Sequence, residues 1–207
     1  MNTHTASDTL RTEIAAAAAR LIAEEGLDYQ TAKRKASQQI LGNHKPKGNY
    51  LPDNTEIEDQ VREYNEVFFA DTQPARLRHL RQVGLAFMQE IKHLNPYIVG
   101  AVCNGTAGDH SDIHLQLFVD STKDVEIDLL NRNIDFTLTE NQRSNKSNPL
   151  ETLSFIWRNE GIHLALYDRV DQRQLSKEAR SGRLDMAGLR ELLETSSTKE
   201  SDDAQTR

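Results

Sequence analysis

The chain has 207 residues, with 25 lysines and arginines against 32 aspartates and glutamates, a formal charge of -7. That negative excess argues against unspecific binding to nucleic acid or to an anionic membrane surface, since both want a positive partner. No run approaches the roughly 18 apolar residues of a membrane helix, and one cysteine cannot form an internal disulfide.

Hydrophobic residues make up 37% of the chain, and the mean hydropathy of -0.68 is low for a folded protein. The first residues lack the basic-then-apolar layout of a signal peptide, so a cytoplasmic protein is expected. Residues 1–8 and 195–207 have little to bury and read as disordered. Residues 9–25 form an Ala-rich helix, with Ile14, Ala18, Leu21 and Ile22 at helical spacing and Gly26 as its stop. Gln30 to Leu41 reads as a second helix, and Asn43 to Pro52 as a loop. Asp53-Asn54-Thr55-Glu56 offers capping groups to a third helix carrying Ile57, Val61, Tyr64 and Phe68. The basic run Lys33-Arg34-Lys35, with His44, Lys45 and Lys47 beyond it, reads as a solvated face.

Pro74 opens a longer helix, which Pro96 closes. The period then changes from helical to two-fold. Tyr97 to Cys103 is an apolar run read as a strand, with Cys103 a buried thiol. Along Ser111 to Val119, Ile113, Leu115, Leu117 and Val119 point one way, and Asp112, His114 and Gln116 the other. Ser121 and Asp124 suggest a capping box and a helix over 122–132, although Val125, Ile127 and Leu129 also alternate like a strand. Ile134 to Thr139 reads as a strand, and Glu140 to Pro149 as a loop. Leu153–Arg158 and Ile162–Tyr167 read as a hairpin turned by Asn159-Glu160-Gly161, and a short helix is expected near 185–194. The expected architecture is α/β: a helical region over 9–72, a mixed sheet with helices mainly on one face over 73–168, and a tail over 169–207. The opposite sheet face, bearing Asp112 and His114, would be open.

That face is where a site is expected. Gly105-Thr106-Ala107-Gly108 precedes His110-Ser111-Asp112-Ile113-His114. The glycines and Thr106 are able to shape a small anion-binding nest. Asp112, His114 and a histidine on a neighbouring strand, His163, are residue types that hold zinc or another borderline metal. His110 lies too far from His114 to share that ion, about 13 Å along a strand. His114 is also a candidate general base for hydrolysis or group transfer.

The Gly-Thr turn followed by Ser-Asp-Ile-X-Leu resembles the core of the nucleotidyltransferase superfamily. The resemblance implies that Gly105 and Thr106 face nucleotide phosphates and that Asp112 holds Mg²⁺. The family's second carboxylate, two residues on, is His114 in this chain, and Mg²⁺ prefers oxygen ligands. The turn also stands closer to the aspartate than the family's does, without its basic residue. A wider likeness, over about residues 10–170, is to a group of small bacterial proteins sometimes labelled nucleotidyltransferases. It rests on Ala17 to Gly26, Ala32 to Ala36, Leu51 to Glu58, Arg62 to Tyr64, Gly105 to Ala107 and His110 to Asp112. The implied function is a ligand- or partner-binding module, degenerate at its metal site, with a nucleotide or a protein as partner. The alternative is an active, Mg²⁺-dependent transferase using Asp112 and a carboxylate from a neighbouring element, with Glu126 or Asp128 available if residues 125–129 form a strand.

Overall fold

Residues 3–42, 50–140, 148–173 and 182–205 are described in the computed structural model of the chain. By internal contacts the chain divides into a helical unit, residues 1–76 with 105–111, and a sheet unit, residues 77–104 with 112–207. The boundary falls four residues beyond the expected one. The loop 105–111 groups with the helices before residue 77, across the intervening segment 77–104, which sequence order does not reveal.

The helical unit is built on α1 (Thr3–Glu25), α2 (Tyr29–Leu41) and α3 (Asn54–Phe68), followed by the first turn of α4 (Gln73–Glu90). Residues 3–8, read as disordered, are helical, because the 9–25 pattern propagates backward once nucleated. Gly26 ends α1 at φ +67°, a conformation that costs glycine little. Asp28 caps α2 by accepting the N–H groups of Gln30 and Thr31, both at 3.0 Å. These bonds, Thr31's foremost, hold its carboxyl below the ordinary value. Asp53 and Glu56 form a reciprocal capping box at the start of α3. Arg11 ties α1 to that cap through Glu56, at 2.7 Å. Behind it Ile14, Ala18, Ala32, Ala36, Ile57 and Val61 are fully buried. The alanines let the helices approach closely. Each buried isoleucine or valine contributes about 1.5–3 kcal/mol. Lys33 and Lys35 lie on α2, reaching Asn54 and Glu25. His44, Lys45 and Lys47 lie outside the described residues.

The sheet unit is α/β, with a six-stranded mixed sheet in the order β3-β4-β5-β2-β1-β6. The strands are β1 (Tyr97–Val99), β2 (Ile113–Val119), β3 (Thr137–Glu140), β4 (Glu151–Trp157), β5 (Glu160–Asp168) and β6 (Arg183–Leu184). β2 and β5 are parallel, and every other pair is antiparallel. One face is apolar and buried: Ile98, Ile113, Leu115, Leu117, Leu153, Ile162, Leu164 and Leu166. The rest of α4 packs on it. Gly84 is the point of closest approach, where a Cβ would stand 3.1 Å from Ile98 Cδ1. Phe87 meets the rings of Phe155 and Trp157 at 5.3 and 5.2 Å. α6 (Thr122–Asn131) buries Val125 and Leu129 and is tied to α4 by Arg132, which bridges Asp128 and Glu90.

Several boundaries differ from the sequence reading. The 97–103 run is a strand only to Val99; Gly100, at φ +68°, turns the chain into α5 (Gly100–Asn104). Cys103 therefore sits half-buried in a helical turn, not inside a strand. Segment 122–132 is a helix, although Ser121 makes no side-chain cap bond. β3 starts at Thr137, not at residue 134. The tail carries α7 (Arg169–Arg173), β6 and α8 (Met186–Gln205), so residues read as disordered after 195 are helical to 205. Most of the 43–52 and 140–149 loops lies outside the described residues.

Candidate functional site

The β4–β5 hairpin sets the geometry of the open sheet face. Its turn is the two-residue Arg158-Asn159, both at positive φ (51° and 64°), with Trp157 paired to Glu160. That is the type I′ pattern, whose twist matches the flanking strands. The sequence reading placed the turn at Asn159-Glu160-Gly161. The shorter turn shifts the register and brings Ser154 opposite His163. The parallel β2–β5 pairing puts His114 on the other side of His163, and Val99 and Arg183 continue the same row.

Two side chains of this row, Ser154 and His163, and Asp112 from the position level with Gly161 form a hydrogen-bonded chain. His163 Nε2 and Asp112 Oδ2 are 3.0 Å apart, and His163 Nδ1 and Ser154 Oγ are 2.8 Å apart. An ionised carboxylate only accepts, so Asp112 fixes the neutral ring's proton on Nε2. Nδ1 is then a lone pair that accepts from the Ser154 hydroxyl. Asp112 stands one residue before β2, against Gly161, where a Cβ would overlap its carboxylate. The imidazole of His114 stacks on that of His163, with centroids 4.8 Å apart and planes 18° apart. Crowding by its neighbours disfavours the His114 imidazolium, the nearby His163 ring adds to this, and Asp112 opposes it.

This arrangement corrects the expected metal group. Asp112, His114 and His163 do lie together, but both nitrogens of His163 are engaged, and the stacked rings do not aim their lone pairs at one point. Among the described residues no three His, Cys, Asp or Glu side chains are arranged to hold a metal. The neighbouring carboxylates are elsewhere too. Glu126 and Asp128 ride on α6, taken by Lys123 at 2.8 Å and by Arg132 at 3.0 Å. The face offers instead a hydroxyl polarised by an oriented imidazole, and His163, not His114, is the ring placed to receive its proton.

Toward its other end the face becomes aromatic. Phe118 stacks on Tyr167 at 5.4 Å and meets Tyr97 edge-on at 6.3 Å. The Arg183 guanidinium lies over Tyr97 at 4.4 Å, and among the described residues its Nη1 has no hydrogen-bond partner. Burial pushes the Tyr167 hydroxyl above its ordinary value. Sequence reading missed Ser154 and Arg183. Alternation along Leu153, Ser154 and Phe155 was the available signal for the first; the second lies in the segment read as tail.

Gly105, Thr106 and Gly108 belong to the helical unit. Gln73 Nε2 donates to the carbonyls of Gly105 and Ala107, at 3.1 and 2.8 Å, and Asn65 Nδ2 to that of Thr106, at 3.3 Å. Thr106 and Ala107 are buried. The Gly108 N–H, expected to face an anion, donates to Ser111 Oγ at 3.0 Å. The loop is clamped by its carbonyls, which reduces the nest expected of it. Comparison with protein-family models, with curated proteins and with solved structures finds no match to this chain.

Proposed function

We propose that the protein is a nucleotidyltransferase-like module, degenerate at the metal site, that binds a ligand on the open sheet face without metal-dependent catalysis. The observation that carries this reading is the fate of Asp112. Its carboxylate is bonded to His163, and the position two residues on, where a second carboxylate would complete a metal pair, is His114 stacked on the same ring. A nucleotide is the ligand of choice. The face runs from paired imidazoles and a carboxylate at one end to Arg183 over Tyr97 at the other. His114 and Arg183 are two strands apart in register, roughly 10 Å. The guanidinium charge of Arg183 suits a phosphate, and the half-buried rings of Tyr97 and Tyr167 suit a base.

Thermal melting against the four nucleoside triphosphates, with and without Mg²⁺, Mn²⁺ and Zn²⁺, tests the reading. Ligand at a hundred times its dissociation constant stabilises a fold by about 2.7 kcal/mol. The expected result is a shift that needs no metal and is lost in Arg183→Ala. A shift that requires Mg²⁺ and disappears in Asp112→Asn would overturn it in favour of an active transferase. No shift with any nucleotide would overturn the choice of ligand and leave a protein partner.

A further inference from the structure

We propose that the helical unit holds a separate binding site for a small organic cation, an amine or guanidinium compound. A cavity of about 240 Å³ opens there among Glu24, Asn65, Phe69, Gln73, Asp109 and His110. Drug-sized sites measure about 300–1,000 Å³, so its occupant is small. The cavity is formed by the close approach of the end of α1 to the loop 105–111. At Gly26 a Cβ would collide with the side chain of His110, and the loop is pinned from α3 and α4 by Asn65 and Gln73.

The chemistry follows from which polar atoms are already used. The amide nitrogen of Gln73 gives both its N–H groups to carbonyls of the loop, and that of Asn65 gives one of its two. Each side chain therefore has its oxygen left, which can only accept. Asn65 is 6% exposed, and among the described residues its amide oxygen accepts no hydrogen bond. Glu24 accepts the Tyr64 hydroxyl, which uses one oxygen of its carboxylate. Asp109 is exposed and makes no hydrogen bond or ion pair among the described residues. Neither carboxylate forms an ion pair among the described residues, and the arginine charge felt nearby, that of Arg20, acts on the Tyr64 hydroxyl bonded to Glu24. The lining thus brings two carboxylates and two amide oxygens beside the ring of Phe69, with the His110 imidazole and the second Asn65 N–H as further polar groups.

A ligand that satisfies such a wall must bring donors and positive charge. An ammonium or guanidinium group does both, and Phe69 adds a cation–π face. A carboxylate or phosphate would meet two like charges. A bare divalent ion would find oxygens but also an aromatic ring, and no described trio of side chains arranged to hold it. The charge of -7 over the whole chain favours the encounter with a cation.

The test is calorimetric titration of the full chain with putrescine and agmatine, with butane-1,4-diol and MgCl₂ as controls at matched ionic strength. Saturable one-to-one binding of a diamine or agmatine is expected, with the diol silent. Asp109→Asn and Glu24→Gln should each weaken it by about tenfold, and Asp112→Asn, in the other unit, should leave it unchanged. Asp109→Asn carries the test if Glu24→Gln loses its bond to Tyr64 and unfolds. The proposal is overturned by no binding, by equal binding of the diol, by an equal response to MgCl₂, or by affinity unchanged in Asp109→Asn. None of these outcomes bears on nucleotide binding at the sheet face.

Discussion

Gly161 and Asp112 are in contact where a side chain on the first would leave no room for the carboxylate of the second. A Cβ at position 161 would overlap Asp112 Oδ1 and Cγ. The glycine is what allows Asp112 to lie flat against β5 and reach His163 Nε2, 3.0 Å away. The half-exposed carboxylate can swing outward, so Gly161→Ala should cost little stability, about 0.5 kcal/mol or less. It should nevertheless break the bond to His163. Nitrogen NMR of His163 should show the Nε2–H tautomer in the parent and a mixture in the variant. Unchanged nitrogen shifts in a folded Gly161→Ala protein would mean that Asp112 does not set the tautomer.

His114 makes stability depend on pH with a definite sign. Its ring is exposed on the open face. The groups crowded round it nevertheless displace enough water to disfavour the protonated form, and His163 adds to this, so its pKa lies below the ordinary 6.5. Between the two values the unfolded chain binds more protons than the folded one, and stability rises with pH. Stability should therefore fall as the pH drops through 6.5 toward the folded value, and level off below it. Melting temperatures measured from about pH 8 to 5 should fall less steeply for His114→Gln than for the parent. Parallel curves for the two proteins would refute the assignment.

The hairpin turn places both Arg158 and Asn159 at positive φ. Asparagine tolerates this conformation, glycine is at ease in it, and a β-branched residue is not. Asn159→Gly should raise stability by about 0.5 kcal/mol, and Asn159→Val should lower it by more than about 1 kcal/mol. Chemical denaturation read by the single tryptophan, Trp157, two residues away, measures both. A neutral Asn159→Val would show that the turn is not type I′.

Asp53 caps α3 and sits 3.8 Å from Arg11, which also holds Glu56. Asp53→Ala removes a capping oxygen and should cost about 1 kcal/mol. Asp53→Ser, which keeps a capping oxygen but no charge, should recover most of it. If the serine variant is as unstable as the alanine one, the ion pair with Arg11 matters more than the cap. Circular dichroism during urea unfolding gives both values.

What the sequence determined by itself is the local and periodic part of the structure. Helical spacing, the Asp53–Glu56 cap and Gly26 located the first helices. Two-fold alternation located β2 and assigned Asp112 and His114 to its polar side. These follow from interactions within a few residues, or from which residues must be buried. Tertiary structure decided three things. It turned residues 100–104 and 122–131 into helices where apolar alternation also allowed strands, because Gly100 bends the chain and Val125 with Leu129 found a helical face to bury. It joined the loop 105–111 to Asn65 and Gln73, contacts between residues more than thirty apart. It fixed the hairpin register, and so put Ser154 beside His163, while the β2–β5 pairing brought Asp112 within reach of the same ring. A three-residue turn would have set Ser154 opposite the buried Leu166, a shift that mixes the two faces. Side-chain period argues against that register but cannot tell the observed one from a slip of two residues. The chemistry of the open face depends on that choice, which is made across strands and not along them.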